Sequence, residues 1–178
     1  EESYAYMLSD FVRDKDAVAS CATFAEMTAW GKNQGLSVFD LLAEIYQQYG
    51  FYLEDLVSIT KKGMSGAQEI NKIMSNLRGN TPTLINGSKV TKVIDYNAGY
   101  AYDKVSQQEQ KLSFPQSNVL QFELEDGSKI SARPSGTEPK IKFYISVNQS
   151  LPNKESYDAV KALLKTKIAN IKSDLRLN

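Results

Sequence analysis

One short stretch, Arg133-Pro134-Ser135-Gly136-Thr137-Glu138-Pro139-Lys140, concentrates chemical groups that bind anions. The guanidinium of Arg133 offers a planar fork of donors that fits two phosphate oxygens at once. Ser135 and Thr137 offer hydroxyl donors, and Gly136 lets backbone N–H groups approach an anion closely. On this chemistry alone, the stretch fits either a phosphate-binding loop or a polar turn with an exposed arginine.

Strand-like sequence flanks this stretch on both sides, which would hold it on a bend between two strands. Apolar and polar residues alternate through Ser128–Ala132 and again through Ile141–Val147, as in half-buried strands. Asp126-Gly127 is a strong hairpin signal, and Val119–Glu125 before it alternates in the same way. No helix follows the stretch and the G-x-x-x-x-G-K-[ST] spacing is absent, so it is not a Walker loop.

Further elements on the N-terminal side of this hairpin are predicted from periodicity and capping signals. Leu56–Thr60 is typical of a short strand. A capping box of Ser65 and Gln68 is predicted to begin a helix that Gly79 ends.

The middle and the end of the chain complete an α+β pattern. Leu84–Tyr96 is predicted to be extended with a bend at Asn86-Gly87, and the polar segment Asn97–Pro115 to be a surface loop. Pro152-Asn153 is predicted to open a final helix with an apolar stripe long enough to cover a sheet. We therefore expect an antiparallel sheet with helices on one face in 51–178.

The first fifty residues predict two helices. The first runs from Asp16 to a Gly31–Gly35 end, and the second is capped by Ser37 and ended by Gly50. Cys21 lies in the apolar pattern of the first helix and is expected to be a buried structural thiol. In isolation both helices would expose an apolar face, so we expect them to pack on each other, on the next domain or on another copy.

Composition excludes several classes of function. The 21 basic and 21 acidic residues balance, which argues against non-specific nucleic-acid binding. With one cysteine and no histidine, neither a disulfide framework, a Ser-His triad nor a common zinc site is available. No apolar run approaches a membrane span and no signal peptide is visible, so we expect a cytoplasmic location. Because the chain begins Glu-Glu-Ser without methionine, we expect it to be the C-terminal piece of a longer protein.

The eight-residue stretch together with Ile-Lys-Phe-Tyr after it resembles the phosphate-binding loop of the α-D-phosphohexomutases. That family includes phosphoglucomutases, phosphomannomutases and phosphoglucosamine mutases. The resemblance implies that 51–178 is the fourth, TATA-binding-protein-like domain and that 1–50 is the end of the α/β third domain. It also implies that the loop grips the phosphate that is not being transferred, through Arg133, Ser135, Gly136, Thr137 and Lys140.

The first residues are similar to other parts of the same family. Glu1-Glu2-Ser3-Tyr4 resembles the sugar-binding loop of the third domain, which implies that Glu1 and Ser3 contact sugar hydroxyls. Arg13-Asp14-Lys15-Asp16 resembles an Arg-x-Lys-Asp segment whose lysine reaches the active site, which makes Lys15 an active-site helper. Ala5 stands where the family usually has glycine.

In this family a phosphoserine in domain one, aided by Mg²⁺, transfers its phosphoryl group and a bisphosphate intermediate turns over. The chain contains neither a Thr-x-Ser-His nor an Asp-x-Asp-x-Asp motif, so Mg²⁺ is expected to be bound upstream and the fragment alone to be inactive. The implied partners are a phosphosugar and the upstream domains of the same chain, without nucleic acid or membrane. The alternatives are a free-standing phosphosugar-binding module and, less compatible with the balanced charge, a nucleic-acid-binding module. Copies of the fragment could also pair through exposed apolar helix faces.

Overall fold

The computed structural model describes residues 6–10, 13–61 and 63–177. This part of the chain contains four α-helices, a 3-10 helix at Lys154–Ser156 and eight strands. The helices are α1 (Ala17–Asn33), α2 (Val38–Tyr49), α3 (Gly63–Gly79) and α4 (Tyr157–Asp174). The strands are β1 (Phe51–Thr60), β2 (Leu84–Ile85), β3 (Ser88–Asp95), β4 (Tyr100–Asp103), β5 (Gln108–Lys111), β6 (Leu120–Leu124), β7 (Lys129–Pro134) and β8 (Lys140–Gln149).

The strands form one antiparallel sheet in the order β1-β8-β7-β6-β3-β4-β5, and β2 pairs with β3. β8 lies between β1 and β7 and pairs with β1 along its full length, from Lys140 opposite Thr60 to Gln149 opposite Phe51. The two strands that flank the anion-binding stretch are therefore supported on both sides.

The two faces of the sheet differ because burial alternates along the central strands. On one face α3 and α4 cover a core that includes Met74 of α3, Leu164 of α4 and Phe143 of β8. The opposite face carries polar side chains such as Arg133 and Lys142, which are directly opposite each other on β7 and β8. The α+β class with helices on one face of an antiparallel sheet is confirmed.

Helix α2 packs against the sheet domain through aromatic side chains. The Tyr46 ring stacks on Phe51 at the start of β1 with 4.2 Å between ring centroids, and Phe51 stacks on Tyr157 of α4 at 4.9 Å. Lys154 forms an ion pair with Asp40. The hydrogen bond from Lys154, with others from the capping residue of α2, holds the pKa of Asp40 well below its ordinary value.

Helix α1 has the predicted bounds but a different environment. Val18 is 80% exposed and Trp30 57%, and Gly31 is the one buried residue of the helix. The prediction that Cys21 is a buried thiol is wrong, because its side chain is exposed. The predicted helix does form, but in the described chain only its C-terminal end contacts α2, where Gly31 lies against Leu41.

Three local predictions are corrected. Ser65 does not begin a helix, because α3 already starts at Gly63 and Ser65 lies within its first turn. β1 begins at Phe51 rather than at Leu56. The segment Asn97–Pro115 is not a plain surface loop, because it contains the β4–β5 hairpin, whose backbone pairing extends the sheet.

The predicted cap of α2 and the predicted bend at Asn86-Gly87 are confirmed, whereas Asn153 caps the 3-10 helix and α4 begins only at Tyr157. Ser37 and Asp40 form a reciprocal capping box at the start of α2. Asn86 and Gly87 both have positive φ, 51° and 70°, and turn β2 into β3, as a type I′ hairpin requires. Among the described residues, no helix is both long enough and apolar enough to cross a bilayer.

Candidate phosphate-binding site

The anion-binding stretch lies at one end of the sheet, where β7 turns into β8. β7 ends at Pro134 and β8 begins at Lys140, so residues 135–139 form the connecting loop. In the antiparallel register Arg133 is directly opposite Lys142, and residues directly opposite in such a pair share one face. That face is the polar one, so two cationic residues stand side by side at the base of the loop.

Hydrogen bonds within the loop fix its backbone. The Ser135 N–H donates to the Lys140 carbonyl at 2.8 Å, and the Lys140 N–H donates to the Glu138 carbonyl at 2.7 Å. The Ser135 hydroxyl oxygen accepts from the Thr137 and Glu138 N–H groups at 3.4 and 3.3 Å. Because these two donors occupy the oxygen's lone pairs, the O–H of Ser135 stays available to donate to a ligand.

The base of the loop is attached to the rest of the fold. The Lys61 N–H, just after β1, donates to the Pro139 carbonyl at 2.8 Å. Gly66 of α3 packs so closely on Lys61 that a Cβ added at Gly66 would lie 2.8 Å from the carbonyl carbon of Lys61. The start of α3 and the end of β1 therefore support the loop from behind.

The loop borders an open hollow of about 740 Å³. The structure brings all five predicted phosphate-binding residues together at this hollow, and they are Arg133, Ser135, Gly136, Thr137 and Lys140. The Arg133 side chain is exposed, and within the described residues no carboxylate pairs with it. The Gly136 N–H likewise has no acceptor in the described part of the chain.

Three further residues line the same hollow, namely Glu54, Lys142 and Tyr144. The predicted alternation of β8 already placed Lys142 and Tyr144 on one face, and the hairpin pairing of Arg133 would have indicated that this is the site's face. Glu54 was missed because β1 was predicted to begin two residues after it. The Lys142 ammonium nitrogen lies 6.0 Å from the centroid of the Tyr144 ring.

The charges of the hollow favour an anion. Arg133, Lys140 and Lys142 contribute positive charge, and Glu54 is the one carboxylate among the described residues that line the hollow. Lys140 is also paired with Glu138, with 2.5 Å between Nζ and Oε2. A guanidinium, two ammonium groups, two hydroxyls and a backbone N–H are the donors that a phosphoryl group with several equivalent oxygens requires.

The other predicted site residues lie elsewhere. Glu1 and Ser3 lie outside the described residues. Lys15 is exposed just before α1, where its N–H donates to the Asp14 carboxylate at 2.8 Å, and it does not line the hollow. No group of three or more potential metal ligands occurs within 6–10, 13–61 and 63–177.

Comparisons with known proteins agree with this architecture. The chain is 43% identical over 148 residues to the phosphoglucomutase of Staphylococcus haemolyticus and 39% identical over 147 residues to that of Staphylococcus aureus. Each alignment covers 83% of this chain, but only 27% and 26% of the relatives. The chain thus spans about a quarter of the length of the curated relatives it matches. A scan against models of known protein families finds no match.

One solved structure shares the fold. The open form of parafusin, a phosphoglucomutase from Paramecium, superposes with a TM-score of 0.51 at 21% identity, over 94% of this chain and 28% of that one. The sequence relatives and this shared fold define a C-terminal part of a sugar-phosphate mutase. The chain belongs to the α-D-phosphohexomutase family.

Proposed function

We propose that this chain is the part of a hexose-phosphate mutase that holds the phosphate which is not being transferred. The observation that carries the proposal is the placement of Arg133, the loop hydroxyls and Lys142 around one hollow at the β7–β8 turn. Such a site recognises a phosphoryl group and few other features of the ligand. It therefore suits a reaction in which either end of the sugar must bind with its phosphate in the same place.

The proposed reaction interconverts hexose 1-phosphate and hexose 6-phosphate through a phosphoserine enzyme and a bisphosphate. The relatives are called phosphoglucomutases, which favours glucose over mannose as the hexose. Mg²⁺ would be bound upstream of this chain and would supply charge neutralisation at the transferred phosphoryl group. The contribution of this chain is positioning and charge stabilisation, on which phosphoryl transfer largely depends.

The assignments of the first fifty residues are part of the same proposal. Glu1 and Ser3 would contact sugar hydroxyls, and Lys15 would reach the active site from the start of α1. Residues 1–50 would end an α/β domain, and 51–178 would form the phosphate-binding domain. The exposed apolar side chains of α1 support a contact with upstream domains of the same chain, since most of the relatives' length lies outside this segment. A cytoplasmic location is part of the same proposal.

The binding role is tested with the chain itself. Titration of the ¹⁵N-labelled chain with inorganic phosphate and with glucose 1-phosphate should shift the amide signals of residues 133–142 and leave those of α4 unchanged. Sedimentation of the same sample would show whether copies of the chain pair. Amide shifts confined to another region would refute the assignment of phosphate binding to the β7–β8 loop.

The catalytic role is tested by activity. We expect the purified chain to show no interconversion of glucose 1- and 6-phosphate, because its sequence holds no Thr-x-Ser-His or Asp-x-Asp-x-Asp motif. A longer protein that contains this chain and the upstream domains should be active with glucose phosphates, and mannose phosphates serve as the comparison. Steady turnover by the chain alone would refute the proposal that catalysis needs the upstream domains.

A further inference from the structure

We propose that Glu138 competes with the substrate's phosphate for Lys140, and that phosphate binding requires this ion pair to open. The inference rests on the proposed function, because it concerns the same loop. Its starting point is the contact between Lys140 Nζ and Glu138 Oε2 at 2.5 Å. Lys140 is one of the cations that line the phosphate hollow, so in the described structure one of the site's donors is already bound to an anion of the same loop.

The two partners belong to opposite sides of the loop. Lys140 lines the front hollow with Arg133, whereas Glu138 lines a second hollow of about 600 Å³ behind the loop, beside the start of α3. The ion pair therefore holds the Lys140 ammonium group against Glu138 while Lys140 still lines the front hollow. A phosphate in the front hollow would have to draw this group away from Glu138.

The backbone keeps the carboxylate within reach of the lysine. The Glu138 N–H donates to the Ser135 hydroxyl oxygen, and the Glu138 carbonyl accepts from the Lys140 N–H at 2.7 Å. These bonds hold the two residues on one tight turn whether or not the side chains are paired. Pairing with Lys140 lowers the pKa of Glu138 from its ordinary value of 4.5, so the competitor is ionised at neutral pH.

The competition is weak enough for a phosphate to prevail. The Glu138 side chain is 60% exposed and that of Lys140 32%, and exposed pairs of this kind contribute little. A phosphate dianion also gains contacts with Arg133, with which Glu138 forms no ion pair in the described structure. Glu138 thus lowers the affinity for phosphate by a small factor and does not block the site.

The variant Glu138→Gln tests the competition, since it keeps the shape of the side chain and removes its charge. Titrated with inorganic phosphate at pH 7.5 and about 0.1 M salt, it should bind about two- to five-fold more tightly than the parent chain, as expected for loss of an exposed ion pair. Glu155→Gln is the charge-matched control. Glu155 is exposed beyond the far end of β8, on the order of 30 Å from Lys140. This distance exceeds the screening length, so the phosphate affinity of the Glu155→Gln variant should equal that of the parent chain.

A second pair of variants shows whether Glu138 acts through Lys140. In a Lys140→Gln background the gain from Glu138→Gln should disappear, because there is no ammonium group left to release. An unchanged affinity of Glu138→Gln, or an equal gain without Lys140, overturns the inference. If instead the parent chain binds no phosphate, or Arg133→Gln does not weaken binding, the proposed function fails and the inference fails with it.

Discussion

Replacement of Arg133 by glutamine is the sharpest test of the phosphate hollow. The Arg133 side chain is exposed and makes no ion pair within the described part of the chain. Its loss should therefore leave the free energy of unfolding within about 0.5 kcal/mol of the parent value. Any large effect on the function of the longer mutase would then come from the ligand and not from the fold.

The expected size follows from the geometry. A guanidinium that contacts phosphate makes one or two charge-assisted hydrogen bonds, each contributing roughly 1.5–3 kcal/mol. The hollow is open to solvent, and Lys142 stands directly opposite Arg133 and can compensate in part. We therefore expect the loss of about one such bond, which is a fall in kcat/KM of about 10- to 150-fold.

The assay compares Arg133→Gln with Lys129→Gln in the longer protein. Lys129 lies on the same strand, is also exposed, and pairs with Glu123 at 3.5 Å. Lys129→Gln removes the same charge from β7, but Lys129 does not line the phosphate hollow. The kcat/KM of this variant should therefore stay within about twofold of the parent value. Equal kcat/KM for both variants and the parent would refute the role of Arg133, and equal losses would show that only the overall charge matters.

Three further variants test the framework and the loop. Arg78→Met should destabilise the fold by about 3 kcal/mol in urea unfolding, because it leaves the buried Asp95 carboxylate without the guanidinium that lies 2.8 Å away. Burial acts to raise the pKa of Asp126, but hydrogen bonds, first that from the Ser128 N–H, lower it below the ordinary 3.8. The ionised carboxylate therefore stabilises the fold fully above pH 3.8, and this contribution is lost as the pH falls further. Asp126→Asn should thus make the free energy of unfolding decrease less steeply between neutral and acid pH. Gly136→Ala should fold normally, since no atom lies within 4 Å of the added Cβ, yet bind phosphate more weakly, and equal affinity would show that the anion does not approach this backbone.

The sequence predicted the location of the loop well because the relevant signals are local. The alternation of β6, β7 and β8 and the Asp126-Gly127 turn each depend on a few adjacent residues. Gly127 indeed has a φ of 81°, which favours glycine at such a turn. Where local propensity and burial agree, periodicity is sufficient to predict the strands.

Two elements could not be predicted in this way. β5 has the sequence Gln-Glu-Gln-Lys with all four side chains exposed, so no apolar pattern marks it and its strand conformation comes from backbone pairing with β4. The apolar side chains of α1 are spread around the helix and not gathered on one face, so its sequence does not say what covers it, and Cys21 on it is exposed. Both failures concern tertiary context, which overrides or completes local preference.

The electrostatic character of the hollow depends on contacts that a motif does not encode. Glu54 reaches the hollow because β1 pairs with β8 in a fixed register, across about ninety residues of sequence. A shift of the β1–β8 register by one residue would turn Glu54 into the core, and a shift of the β7–β8 register would turn Lys142 away from Arg133. The loop motif therefore supplies the donors, while the pairing of β1, β8 and β7 sets how many charges surround the anion. For this reason substitutions in the core beneath β8, such as at Phe143, should alter phosphate affinity through the register although they touch no ligand.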